Sequence, residues 1–158
     1  MLFNLLLLIF ITSCSSIDLS SAVYDTEITT SLITPNTKEE FNAIDWELKR
    51  LFKTSNPIRK CHINIGIQKT ILTSGISSTF FSVNENIALN VNYDLQCNDG
   101  IKTSNTITQS TDFTLQQEKT IAQYVGQNKI TNEMASQIAK LIHDEIRIFF
   151  IVYKNKKH

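Results

Sequence analysis

The stretch Asn86-Ile87-Ala88-Leu89-Asn90-Val91-Asn92-Tyr93-Asp94-Leu95 decides the fold. Ile87, Leu89, Val91, Tyr93 and Leu95 alternate with small or polar residues. Successive side chains of a strand point to opposite faces, so this is a strand with one apolar and one polar face. Downstream, Asn98-Asp99-Gly100 is a hairpin signal, because Gly and Asx tolerate positive φ. It predicts a returning strand over residues 101–111, whose weak alternation and Thr/Asn content suit an edge or a polar face. Upstream, Cys61, Ile63, Ile65 and Ile67 alternate with His62, Asn64, Gly66 and Gln68, a second half-buried strand. Residues 70–81 carry less pattern and a break at Gly75. They either extend that strand or form an excursion.

Two helices flank these strands. Thr37-Lys38-Glu39-Glu40 fits the S/T-x-x-E capping box. Phe41, Ile44, Leu48, Leu51 and Phe52 follow at helical spacing and predict a helix over 38–52. Its acids lie in the first turn and Lys49, Arg50 and Lys53 in the last, as the helix dipole prefers. Trp46, the single tryptophan, falls off the stripe, at the core edge or toward a partner. Ile130, Met134, Ile138, Leu141, Ile142, Ile146, Phe149 and Tyr153 predict a second helix over about 128–152. Its last two turns are apolar nearly all round, which predicts burial on more than one side. Residues 112–127 look irregular, with at most a helical turn. Residues 23–33, bearing Ile28 and Leu32 among threonines, predict a first strand. The order is β-α-β-β-β-α. It implies an α+β fold, two helices packed on one face of a four-stranded sheet.

The N-terminus carries a different signal. Leu5-Leu6-Leu7-Leu8-Ile9-Phe10-Ile11 is an apolar run of about half the ~20 residues that a membrane-spanning helix needs. It fits the apolar region of a secretory signal. Ile11-Thr12-Ser13-Cys14 resembles the bacterial lipobox, in which cleavage precedes a cysteine that is then acylated. Two or three acyl chains anchor a protein stably. The expected organisation is a signal peptide over 1–13, a tether over 14–22, one domain over 23–153 and a basic tail over 154–158. Ser15, in place of Asp, favours the outer membrane.

Lys+Arg and Asp+Glu each number 15, so the formal net charge is zero. A nucleic-acid binder would show a basic excess, so no nucleic-acid partner is expected. With Cys14 lipidated, Cys61 and Cys97 remain, an even pair in a compartment that permits disulfides. They begin one strand and end another, on the apolar parity. They form either a disulfide or two buried thiols.

No catalytic or metal signature stands out. Cys61-His62 point to opposite faces of a strand, which argues against a dyad. His143-Asp144-Glu145 lacks the second histidine four residues on that a zinc-protease helix needs; Arg147 stands there. There is no Gly-rich phosphate loop, no G-x-S-x-G and no Cys/His cluster, so a non-enzyme without cofactor is expected. Lys49, Arg50, Lys53, Arg59 and Lys60 gather where the turn at Pro57 joins the first helix to the next strand. They could meet anionic lipid or lipopolysaccharide phosphates, or form a solvated helix end.

The lipobox, the β-α start, the strand 86–95, the Asp-Gly turn, the Thr/Ser-rich strand, Phe113 leading to Tyr124 and the helix around Met134-Ala135-Ser136-Gln137-Ile138-Ala139-Lys140-Leu141-Ile142 occur together. In this order they resemble the outer-membrane lipopolysaccharide-assembly lipoprotein family (LptE-like), in its divergent alphaproteobacterial form. The resemblance spans most of the chain after Cys14. Of the family's functional positions it carries over only Cys14. It implies an outer-membrane lipoprotein on the periplasmic face, a plug and assembly partner of a large β-barrel that delivers lipopolysaccharide to the surface, with the glycolipid as ligand. A lipoprotein subunit of a lipid-trafficking ABC system and a small periplasmic enzyme are the alternatives.

Overall fold

The computed structural model describes residues 26–76, 82–116 and 120–156. The signal, Cys14, the tether and the last two residues of the basic tail lie outside the described residues. The elements are β1 (Thr26–Leu32), α1 (Lys38–Leu51), β2 (Arg59–Ile76), β3 (Ser82–Cys97), β4 (Lys102–Gln116) and α2 (Thr120–Lys156). The sheet order is β1-β2-β3-β4. β1 pairs parallel with β2, while β2–β3 and β3–β4 are antiparallel. Both helices pack on one face and against each other. This is the α+β arrangement that the alternation implied.

The core is odd-numbered along β2, β3 and β4 and even-numbered along β1, where Ile28 lies opposite Cys61, each strand keeping its period of two. Ile63, Ile65, Ile87, Leu89, Val91 and Leu95 are fully buried, with Ile28, Ile67 and Tyr93 beside them. Ile44, Leu48 and Phe52 from α1 cover them, as do Ile138, Ile142, Ile146 and Phe150 from α2. The alternate positions, even in β2 to β4 and odd in β1, point away from the helices. Between β1 and β4 that open face is a field of amides and hydroxyls, including Thr29, His62, Gln68, Asn90, Asn92, Gln96, Thr106 and Thr108, all exposed. Leu72, 60% exposed, is a large apolar residue of that parity toward the far end of β2. Gly66 allows a close approach here, because a Cβ would lie 2.4 Å from Oδ1 of Asn92, its neighbour across the β2–β3 register.

β2, β3, β4 and the second helix exceed their expected lengths. β2 and β3 pair as far as Ile76 with Val83, so residues 70–76 extend the strand. β4 continues to Gln116 and α2 begins at Thr120, where irregular chain was expected. Residues 154–156, expected in a basic tail, continue the helix. At the β3–β4 turn Gly100 takes φ +83° and its amide donates to the Cys97 carbonyl at 3.1 Å, the backbone that the Asp-Gly pair anticipated.

Three local expectations are corrected. Thr37 precedes α1, but its side chain makes no capping bond. Its hydroxyl donates to the Thr34 carbonyl at 3.3 Å, and Glu40 pairs instead with Lys69 of β2 at 3.0 Å. Glu40 is buried against the sheet, where a cation is a stronger partner for a carboxylate than a backbone amide. Leu141 is 47% exposed, because Ala135, Ala139 and Ile142 take the inward side of α2. The apolar end of α2 is not buried all round either: Ile148 is 61% and Val152 48% exposed, while Ile146 and Phe150 are buried.

Candidate functional site

The expected basic cluster lies at the end of the domain where α1 stops and β2 starts. The loop carrying Pro57 joins the two there. The five cations do not form one bare patch. Lys49 Nζ pairs with Asp45 at 2.9 Å and Arg50 binds both oxygens of Glu47 at 2.9 and 2.6 Å. Arg59 donates to Asp99 at 2.7 Å, and Lys60 lies 3.8 Å from Glu27. Lys53 is exposed, and no carboxylate within ion-pair distance is found for it among the described residues. Lys49 and Lys53 flank a depression of about 240 Å³ floored by Ile28 and Phe52, with Glu27 on its rim. Lys60 lies in a second depression of about 480 Å³ that opens on the polar sheet face beside His62 and Gln96. Arg50 turns away from both, its guanidinium 6.0 Å from the exposed Trp46 ring.

Two of these pairs fix local structure. Glu47 is buried, and the Arg50 hydrogen bonds, with help from Lys140, hold its carboxyl below the usual range against the opposing cost of burial. At Asp99, burial pushes the carboxyl up, but the Arg59 hydrogen bond, the Ile101 amide and the Arg59 charge together bring it below its ordinary value. Arg59 also lies over the Phe150 ring at 4.4 Å, a cation–π contact that joins the β2 start to the end of α2.

Cys61 and Cys97 are opposite each other in the β2–β3 register, and their sulfurs are bonded at 2.01 Å. His62 points to the other face. Its Nδ1 lies 2.9 Å from Thr29 Oγ1, and its Nε2 lies 3.0 Å from Ser31 Oγ and 3.1 Å from Asn64 Oδ1. That network ties β1 to β2 through the Thr29 and Ser31 hydroxyls. His143 packs edge-on to Phe52 at 4.8 Å between ring centroids. Among the described residues no group of three His, Cys, Asp or Glu side chains could hold a metal.

One polar cluster was not foreseen. The buried Tyr93 hydroxyl donates to Glu145 Oε2 at 2.8 Å, and Asn105 donates to the same oxygen at 3.0 Å. Burial, reinforced by Glu145, pushes the Tyr93 hydroxyl well above the usual phenol range. The cluster fastens α2 to β3 and β4 beside an apolar trough of about 430 Å³ formed with Ile148, Phe149 and Val152. The contact joins residues 52 positions apart. A sequence hint existed only in Tyr93 being a core-parity residue with a hydroxyl to satisfy.

A four-stranded meander with a parallel first strand, covered by two helices on one face, is a fold found in small bacterial lipoproteins. The structure is similar to a minor lipoprotein from Acinetobacter baumannii at a TM-score of 0.54 and 16% identity, over 78% of this chain and 95% of that one. It is also similar to rare lipoprotein B from Shewanella oneidensis at a TM-score of 0.54 and 14% identity, over 84% of this chain and all of that one. At such identities the likeness establishes the fold. No family model matches the sequence, and no curated protein matches it. No helix among the described residues is long and apolar enough to cross a membrane.

Proposed function

We propose that this protein is a lipid-anchored outer-membrane lipoprotein, LptE-like in role. It acts as the assembly and plug partner of a large β-barrel that delivers lipopolysaccharide to the cell surface. The observation that carries the reading is the fold, shared with small lipoproteins across nearly their whole length, on a chain whose sequence opens with a lipobox ending at Cys14. Acyl chains on Cys14 would hold the domain on the periplasmic face, and the domain itself acts as a binding module without catalytic chemistry.

The polar sheet face supports a docking role. It is wide, wet and rich in short amides and hydroxyls that can exchange water for a partner's backbone and side chains. The basic cluster supports glycolipid binding only in part, since four of its five cations already have carboxylate partners. Lys53 is the member best placed to meet a phosphate.

The test is gentle solubilisation of envelopes followed by affinity recovery of the tagged mature protein. Co-recovery of a large outer-membrane β-barrel in equal amount is the expected result. Recovery with an inner-membrane ABC complex would assign the lipoprotein to lipid trafficking instead, and recovery alone would remove the barrel from the reading.

A further inference from the structure

Five chain segments converge at one pole of the domain. β1 begins there, with Thr26 opposite Arg59 at the start of β2. The β3–β4 turn lies there, because Cys97 is bonded to Cys61. α1 ends there beside Glu27 and Ile28 of β1. The end of α2 joins them through Phe150 beneath Arg59. The other pole holds the far ends of β2, β3 and β4 and the start of α2. The 16 residues of β3 separate the poles by ~50 Å at ~3.3 Å per residue. Cys14 lies 12 residues before Thr26 in the sequence. Even fully extended, 12 residues reach only ~42 Å. An acylated Cys14 therefore keeps the first pole within ~42 Å of the bilayer, closer than the ~50 Å between the poles, and makes it the pole next to the anchor.

The tethered pole has the surface chemistry of an interfacial contact. Ile58 is 80% exposed and Val152 48%. Lys53, Lys102 and Lys154 are exposed around them, and no carboxylate partner is found for these three among the described residues. Exposed apolar side chains and unpaired lysines at one pole, whose acids Glu27 and Asp99 are already paired with Lys60 and Arg59, suit the headgroup layer, where the apolar groups enter and the cations meet phosphates.

We infer that this pole is a membrane-docking surface that rests on an anionic phospholipid interface, with Ile58 and Val152 entering the headgroup layer and Lys53, Lys102 and Lys154 meeting lipid phosphates. It rests on the proposed acylation of Cys14 and concerns the domain before it seats in a barrel: sheet and helices then stand upright on the bilayer. Each lysine near an anionic surface favours the docked state about five-fold, so the three together favour it on the order of 100-fold.

The experiment uses the acylated mature protein carrying one fluorophore, attached through Ile58→Cys at the tethered pole or Tyr124→Cys at the distal pole. It is reconstituted in phosphatidylcholine vesicles with or without phosphatidylglycerol, plus a headgroup-quencher lipid. The label at position 58 should be quenched, more so with phosphatidylglycerol, and the label at 124 should not. Changing Lys53, Lys102 and Lys154 to Gln should lower the docked-to-undocked ratio on the order of 100-fold. The same change at Lys38, Lys129 and Lys140 should leave it unaltered. Equal quenching at both positions, or equal loss in both triple variants, overturns the docking surface while the anchor stands. Quenching at 58 that requires lipopolysaccharide rather than phosphatidylglycerol also overturns it, by moving the pole to the glycolipid. Protein that fails to float with the vesicles overturns the anchor itself, and this orientation with it.

Discussion

Reducing the Cys61–Cys97 bond should lower stability by about 4 kcal/mol. The two cysteines are 36 positions apart. Closing a loop of that length removes about 13 cal/mol/K of entropy from the unfolded chain in the chain-entropy model, hence ~4 kcal/mol at 25 °C. Reduction in the wild type is the cleanest perturbation, since it leaves both sulfurs in place and makes no cavity beside Ile63 and Leu95. Urea unfolding followed by circular dichroism reads the effect. At a slope of about 2 kcal/mol/M the midpoint should fall by about 2 M. The slope itself should rise, because an uncrosslinked unfolded chain exposes more surface. The double variant Cys61→Ala/Cys97→Ala should lose at least as much. A midpoint shift equivalent to under ~1 kcal/mol, with an unchanged slope, would refute the reasoning: the unfolded ensemble would then already hold β2 and β3 together without the bond.

Other expectations follow from the polar contacts. The Glu47 carboxyl is held below its ordinary value in the fold, so its contribution is complete above about pH 4.5 and fades as pH falls through the lowered value. Glu47→Gln should therefore be less stable than wild type at pH 7, with the two unfolding curves converging as the solution is acidified. Tyr93 is shifted the opposite way: its neutral form is favoured in the fold, so its contribution holds below about pH 10 and is lost as pH rises beyond that. Tyr93→Phe should cost about 1.5–3 kcal/mol at pH 7 for a hydrogen bond to a carboxylate, and should flatten the alkaline loss in thermal unfolding. Gly66→Ala pushes only the exposed end of Asn92, so its stability should stay within about 0.5 kcal/mol of wild type; a loss above 2 kcal/mol would mean that Asn92 is rigidly held.

The elements legible in the sequence were those governed by one dominant period. Ile87 to Leu95 and Cys61 to Ile67 alternate without interruption, and both strands lie at those positions with the odd residues inside. The α1 stripe was equally clear because Ile44, Leu48 and Phe52 all face the sheet. The early part of α2 was hidden by Gly126, a poor helix former in the middle of the run. The structure gives that glycine a reason: a Cβ there would lie 3.0 Å from the Phe113 ring of β4. The extended end of β2 was hidden because its alternation fails. Ile71 and Leu72 are both exposed there, so alternation no longer separates inside from outside. The pairing of the five cations around the end of α1 and the start of β2 was not readable in the sequence. Arg59 meets Asp99 across 40 positions, a contact that only the β2–β3–β4 register creates.

The contrast between the two sides of the domain has a calorimetric consequence. Burying polar surface raises heat capacity, while burying apolar surface lowers it, so the sign and size of the change on association report which side is covered. A partner seated on the amide and hydroxyl field of the sheet should bind with a heat-capacity change near zero or slightly positive, its enthalpy almost constant with temperature. A partner seated along Leu141, Ile148 and Val152 on the outer side of α2 should give a clearly negative change, with an enthalpy that grows more favourable on warming. A titration repeated at a few temperatures thus identifies the docking side of this domain before any complex is crystallised.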